Sequence, residues 1–96
     1  MYVLITYDVA TGDADGARRL RRVSKLCTQY GQRVQRSVFE CLVDPAQFEL
    51  LKRELGEIID ERKDSLLFYN LGKNWKPRVE RLGLNRVYDP EGILLI

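Results

Sequence analysis

An α+β domain with the element order β-α-β-β-α-β is what this sequence predicts, on three observations. The opening stretch YVLITYD alternates its side chains with the period of a strand. Residues 17–30 and 48–59 carry apolar side chains three and four apart, as on the buried face of an amphipathic helix. SVFECLV and SLLFYNL then read as further strands, set after and between those helical patterns.

In the first strand Val3, Ile5, Tyr7 and Val9 point to one face, while Leu4, Thr6 and Asp8 point to the other. The first helix is predicted over 15–30, with Ala17, Leu20, Val23, Cys27 and Tyr30 as its seam and Gly31 as the residue that ends it. QRVQRSVFECLV forms two extended stretches on either side of Gln35, Arg36 and Ser37, either a hairpin or a bulged, kinked pair. Phe39, Cys41 and Val43 share one face of the second stretch; Val38, Glu40 and Leu42 share the other. The second helix starts at Asp44, where Pro45 suits the first helical position and Gln47 completes a capping box. Phe48, Leu51, Leu55, Ile58 and Ile59 form its buried stripe, and Glu49 pairs outward with Arg53. The fourth strand, SLLFYNL, follows the polar loop 60–64. This order is that of a ferredoxin-like sandwich, with two helices on one face of an antiparallel sheet.

The uncovered sheet face is apolar too: Leu4 opposes Val3 and Ile5, and Leu67 and Tyr69 oppose Leu66 and Phe68. Such a face marks an interface. The tail, ending Ile93-Leu94-Leu95-Ile96, is too apolar to dangle in water. Residues 1–96 are thus expected to form a single domain whose 83–96 tail adds a C-terminal extra strand, either to its own sheet or to a second copy. A two-fold homodimer with the tail pairing across it would satisfy both the open face and the tail. In the preceding loop, GKNWKPRVERLG, Trp75 is read as an interface anchor rather than a base-stacking platform.

Composition narrows the chemistry. The chain has no histidine, which removes histidine general bases, Cys-His and Ser-His nucleophiles and the commoner zinc sites. Cys27 and Cys41 lack C-x-x-C spacing and sit on apolar faces, so they are predicted to be buried free thiols. With no leader-like or long apolar segment at its start, the chain is expected in the cytoplasm, with no membrane partner.

The net charge of +2 is segregated: +4 over residues 1–36, −4 over 37–64, +4 over 65–86 and −2 in the tail. Basic flanks around an acidic middle fit a face for polyanions. Arg18, Arg22 and Lys25 make a ridge along the first helix, which Asp15 alone could offset at helical spacing. Asp8 is the other notable charge. Unlike Asp44 it has no capping duty, because Thr11, Asp13 and Asp15 are better placed for that. It is either a group for chemistry or a solvated strand end.

Taken together, YVLITYDV, SVFEC, DSLLFYNLG and DPEG resemble, in order and over essentially the whole chain, the CRISPR-associated protein two family. The resemblance implies a ferredoxin-like homodimer acting in spacer acquisition and a metal-dependent endonuclease of RNA or DNA. It places Asp8 at the family's signature aspartate, with Tyr7, an arginine near Arg18 or Arg19, Arg33 and Phe39 tied to the same site. Magnesium takes six oxygen ligands, keeps several waters and uses one or two carboxylates, so two Asp8 side chains across a two-fold axis would share one Mg²⁺. The family also implies a scaffold: two dimers of the partner integrase, CRISPR-associated protein one, clamp its ends. Arg18, Arg19, Arg22, Lys73, Lys76 and Arg78 would then hold the phosphates of the duplex. A toxin-type endoribonuclease and a non-catalytic nucleic-acid-binding module are the alternatives on this fold.

Overall fold

Alternation in the first strand decides the layering. The structure, a computed structural model, describes residues 1–10 and 14–83. In β1 (Tyr2–Asp8), Val3, Ile5 and Tyr7 are buried under the helices. Next come α1 (Ala14–Cys27), β2 (Gly31–Gln35), β3 (Val38–Leu42), α2 (Pro45–Ile58) and β4 (Ser65–Gly72). The four strands form one sheet in the order β2-β3-β1-β4, every neighbouring pair antiparallel. The α+β sandwich read from the sequence is thus the observed fold. The proposed extra strand and the DPEG stretch, within 84–96, lie outside the described residues, as do Thr11 and Asp13.

Register builds the core. Ile5 lies opposite Phe39 on one side and Phe68 on the other, and Val3 lies opposite Cys41. These side chains meet Val23 and Cys27 of α1 and Leu51 and Leu55 of α2, all fully buried. Phe48 meets Phe68 edge to face, with centroids 5.7 Å apart. Both cysteines are free and buried, and the Cys41 thiol donates to the Cys27 carbonyl at 3.6 Å.

The capping box of α2 forms as its sequence requires. Gln47 N–H donates to Asp44 Oδ1 at 2.7 Å, Asp44 N–H donates to Gln47 Oε1 at 2.9 Å, and Pro45 opens the helix. Glu49, however, pairs with Lys52 at 2.7 Å rather than with Arg53. The stretch 31–43 is both a hairpin and bulged: Arg36 and Ser37 make the turn, and the register slips between Arg33 and Gln35.

Two readings of α1 need correction. Its buried positions are Gly16, Val23, Ser24 and Cys27, whereas Ala17 is exposed. The helix also ends at Cys27, not at Tyr30, and Gly31 is the first residue of β2 rather than a helix cap. Gly31 has no positive φ. It is needed because a Cβ there would lie 1.8 Å from the Glu40 carbonyl oxygen.

The second sheet face is open. Leu42, Leu67 and Tyr69 are each at least half exposed on it, at 58%, 51% and 50%. No described helix is long and apolar enough to cross a membrane. Trp75 stacks on Tyr2 of its own chain, with centroids 4.8 Å apart and planes 27° apart, so its visible role is intramolecular.

Gly31→Ala forces backbone against backbone and should lower stability by about 1–3 kcal/mol. Urea unfolding should show a lower midpoint at unchanged slope; an unaltered midpoint would mean that β2 shifts freely on β3.

Candidate functional site

Asp8 closes β1 opposite Ser65 of β4. Pleating places its carboxylate on the open face, in line with Thr6 and Leu4. It is exposed, and among the described residues it has no hydrogen-bond or ion-pair partner. The described residues hold no group of three or more metal-ligating side chains. The described residues of one chain therefore do not by themselves enclose a cation. An exposed, unpartnered carboxylate does fit half of a magnesium site, with waters and a second carboxylate completing it.

A second carboxylate on the other side of the sheet fixes this strand end. Asp64, just before β4, has a fully buried side chain. It accepts from Tyr7 Oη at 2.6 Å, Arg19 Nε at 2.7 Å and Arg19 Nη2 at 3.1 Å. Backbone N–H groups of Ala10 at 3.3 Å and Asp60 at 3.0 Å also donate to it. Burial pushes the Asp64 carboxyl up, but Arg19, Tyr7 and the two amides outweigh burial and hold it well below its ordinary range. Burial and the bond to Asp64 push the Tyr7 phenol up to about 12. At neutral pH Tyr7 is thus a hydrogen-bond donor, not a base.

The other candidates divide. Arg19 is drawn inward to Asp64, which departs from a purely surface-facing, phosphate-binding arginine. The positive charge of α1 as a whole is therefore less uncompensated than helical spacing suggests. Arg18 is exposed. Arg22 and Lys25 border a groove against Glu54 and Glu57 of α2. Phe39 is fully buried, so within this chain it can support a site only indirectly. The Arg33 guanidinium lies 5.7 Å over its ring, and Arg33 Nε donates to the Arg36 carbonyl at 2.6 Å. Lys73, Lys76 and Arg78 are exposed beyond the far end of β4. The six-residue rise along β1 separates that end from Asp8 by about 20 Å, so one chain does not gather all the predicted cations around Asp8.

Sequence reasoning missed a second polar centre at that far end. Glu40 is buried on the open face, where Tyr2 Oη and Arg81 Nη2 donate to one of its oxygens. Gln32 Nε2 donates to the other at 3.1 Å. Burial raises the Glu40 carboxyl, but Arg81, Tyr2 and Gln32 leave it lowered overall. Its only sequence signal is an acid between the apolar Val38 and Leu42 on the open-face positions of β3.

Asp64→Asn should cost about 3 kcal/mol at pH 7, because it leaves Arg19 without its buried counter-charge. Because folding lowers the Asp64 pKa, its stabilisation is complete above the unfolded value and fades as pH falls below about 4. Denaturation curves of both proteins should therefore differ most at neutral pH and converge in acid. A gap independent of pH would mean that charge is not what Asp64 contributes.

Comparison with known proteins places this geometry. The model of the family described as CRISPR associated protein Cas2 matches residues 1–79. The CRISPR-associated endoribonuclease Cas2 of Nitratidesulfovibrio vulgaris is 56% identical over 96 residues, covering 100% of this chain and 94% of that protein. The CRISPR-associated endonuclease Cas2 of Halalkalibacterium halodurans is 55% identical over 95 residues, covering 99% of each. The crystal structure of Streptococcus pyogenes Cas2 at pH 6.5 superposes with a TM-score of 0.78 at 61% identity, covering 86% of this chain and 100% of that one. With the family model matching residues 1–79 and relatives more than half identical over nearly the whole chain, the chain belongs to the CRISPR-associated Cas2 family.

Proposed function

We propose that this chain is a cytoplasmic, magnesium-dependent endonuclease subunit that works as a homodimer on RNA or DNA. The same dimer would serve as the scaffold on which the partner integrase, CRISPR-associated protein one, handles an incoming spacer. One observation carries the reading: the exposed Asp8 carboxylate, without a partner among the described residues, lies on the open face that also bears Leu42, Leu67 and Tyr69. A second copy covering that face would remove apolar surface from water and bring a second Asp8 into play. The names of the endoribonuclease and endonuclease relatives support phosphodiester cleavage.

In this mechanism Asp8 of each copy would hold the magnesium ion. When bound, that ion supplies Lewis acidity and an activated water. The chain does the rest. Asp64 fixes the backbone just after Asp8 through Ala10 N–H, and Tyr7 keeps its proton and locks the strand end to the helix side. Arg18, Arg22, Lys73, Lys76 and Arg78 neutralise phosphates without reading sequence. The scaffold reading gains weight from the site's sparseness: among the described residues Asp8 is the one carboxylate on the open face at this strand end, and the chain has no histidine.

Sedimentation should give roughly twice the 11.2 kDa chain mass, and deletion of residues 93–96 should weaken the dimer. A deleted variant that pairs as tightly as the intact chain would refute pairing through the tail. Asp8→Asn should reduce nuclease activity to background while dimerisation and duplex binding persist, because only the charge a magnesium ion needs is lost. Integration that survives in this variant would support scaffolding. Its loss, with the complex intact, would put chemistry at Asp8 first.

A further inference from the structure

The flank of α1 turned away from α2 carries a cationic groove that helical spacing alone does not reveal. It has a volume of about 830 Å³. Arg21 and Lys25 line one wall, beside Ser24 and Thr28; Arg33 and Arg36 of the β2–β3 hairpin line the other. Among the described residues no carboxylate lines it, in contrast to the α1–α2 groove with Glu54 and Glu57, which Lys25 also borders. Arg21, Lys25 and Arg36 are exposed, and their side chains have no hydrogen-bond or ion-pair partner among the described residues. Four cations around one groove repel one another, a cost that a bound polyanion would reverse.

Two further features suit an extended phosphate chain. Arg21 and Lys25 are one helical turn apart, about 6 Å along α1. Arg33 is held in place by the Arg36 carbonyl and by the Phe39 ring. The hairpin also adjoins the Asp8 strand end, since Tyr7 N–H donates to the Ser37 carbonyl at 2.9 Å.

We propose that this groove is a track for a nucleic-acid sugar-phosphate backbone, running beside α1 toward the hairpin that flanks Asp8. The proposal rests on the nucleic-acid reading above and adds a surface to it. Three of the four cations are arginines, whose planar forks match phosphate oxygens, and the concave site between helix and hairpin suits a strand better than a flat lipid surface.

The test is a salt titration of fluorescence anisotropy with a labelled duplex and a labelled single strand. Relative to the intact dimer, Arg21→Gln, Lys25→Gln and Arg36→Gln together should weaken binding on the order of tenfold or more at low salt. The log–log salt slope should become shallower by about one unit per lost contact. Arg53→Gln, Arg62→Gln and Lys63→Gln change net charge equally on another surface and should leave the slope intact. Should the triple variant fold poorly by circular dichroism, Arg36→Gln alone, on an exposed turn, should still lower the slope by about one. Equal losses in both triple sets, or an unchanged slope in the groove variants, would overturn the track while leaving nucleic-acid binding standing. An intact protein that binds neither probe would overturn both readings. Tighter binding of polyglutamate than of either oligonucleotide would overturn the nucleic-acid assignment of the groove.

Discussion

Strand alternation in β1 is the constraint from which the rest follows. This strand lies between β3 and β4, so both of its edges are committed to pairing and its side chains must alternate between the helix-covered face and the open one. Val3, Ile5 and Tyr7 must enter the core, and that sends Leu4, Thr6 and Asp8 to the uncovered face. A shift of one residue would bury Asp8 and expose Ile5. The register is therefore fixed by hydrophobic burial, with Phe39 and Phe68 flanking Ile5. The chain obtains an exposed carboxylate at a rigid strand end as a by-product of packing its core.

The carboxylates at this end of the sheet divide the work. Asp64 is buried and fully engaged, which makes it an anchor: it joins β1, the backbone after Asp8, α1 and the loop before β4. Asp8 has no described partner and stays in reach of solvent. Gly16 tightens the same corner, since a Cβ there would lie 2.4 Å from the Ala10 carbonyl oxygen. The rigid network thus lies on the helix side, and the reactive candidate faces outward. Positioning and exposure are met by different residues, so neither compromises the other.

Much of this was legible in the sequence, for physical reasons. Alternation identified the buried faces of β1, β3 and β4, and S-T-D-N capping chemistry identified the start of α2, because both signals are local. The same locality explains the failures. Gly31 looks like a helix terminator until β3 is seen to approach its Cα, a contact with residues nine and ten positions away. Arg19 looks like one more exposed charge on α1, yet its partner is forty-five residues on. Glu40 appears to face solvent until Tyr2 and Arg81 reach it. Lys52 rather than Arg53 takes Glu49, because its ammonium also lies 4.4 Å from the Phe48 ring centre. For Asp8, the sequence singled out the residue by its lack of a cap role; its exposure on the open face follows from the fold.

The same distinction governs the charge map. Summed along the chain, the first 36 residues look uniformly basic. In space that charge separates into an arginine neutralised by Asp64, a flank facing the acids of α2, and a groove lined by cations from α1 and the hairpin. Helical spacing sets which α1 residues share a flank, but only the sheet decides what each flank confronts. The position of β2 at the edge of the sheet formed by the described residues is decisive here. As the outer strand next to β3, it holds the bulged hairpin beside α1, where Arg33 and Arg36 join Arg21 and Lys25. Had β2 been an inner strand, another strand would have covered its outer edge and the groove would not exist. Edge placement and core register thus bring a cationic groove and an exposed carboxylate to the same end of the sheet by separate routes.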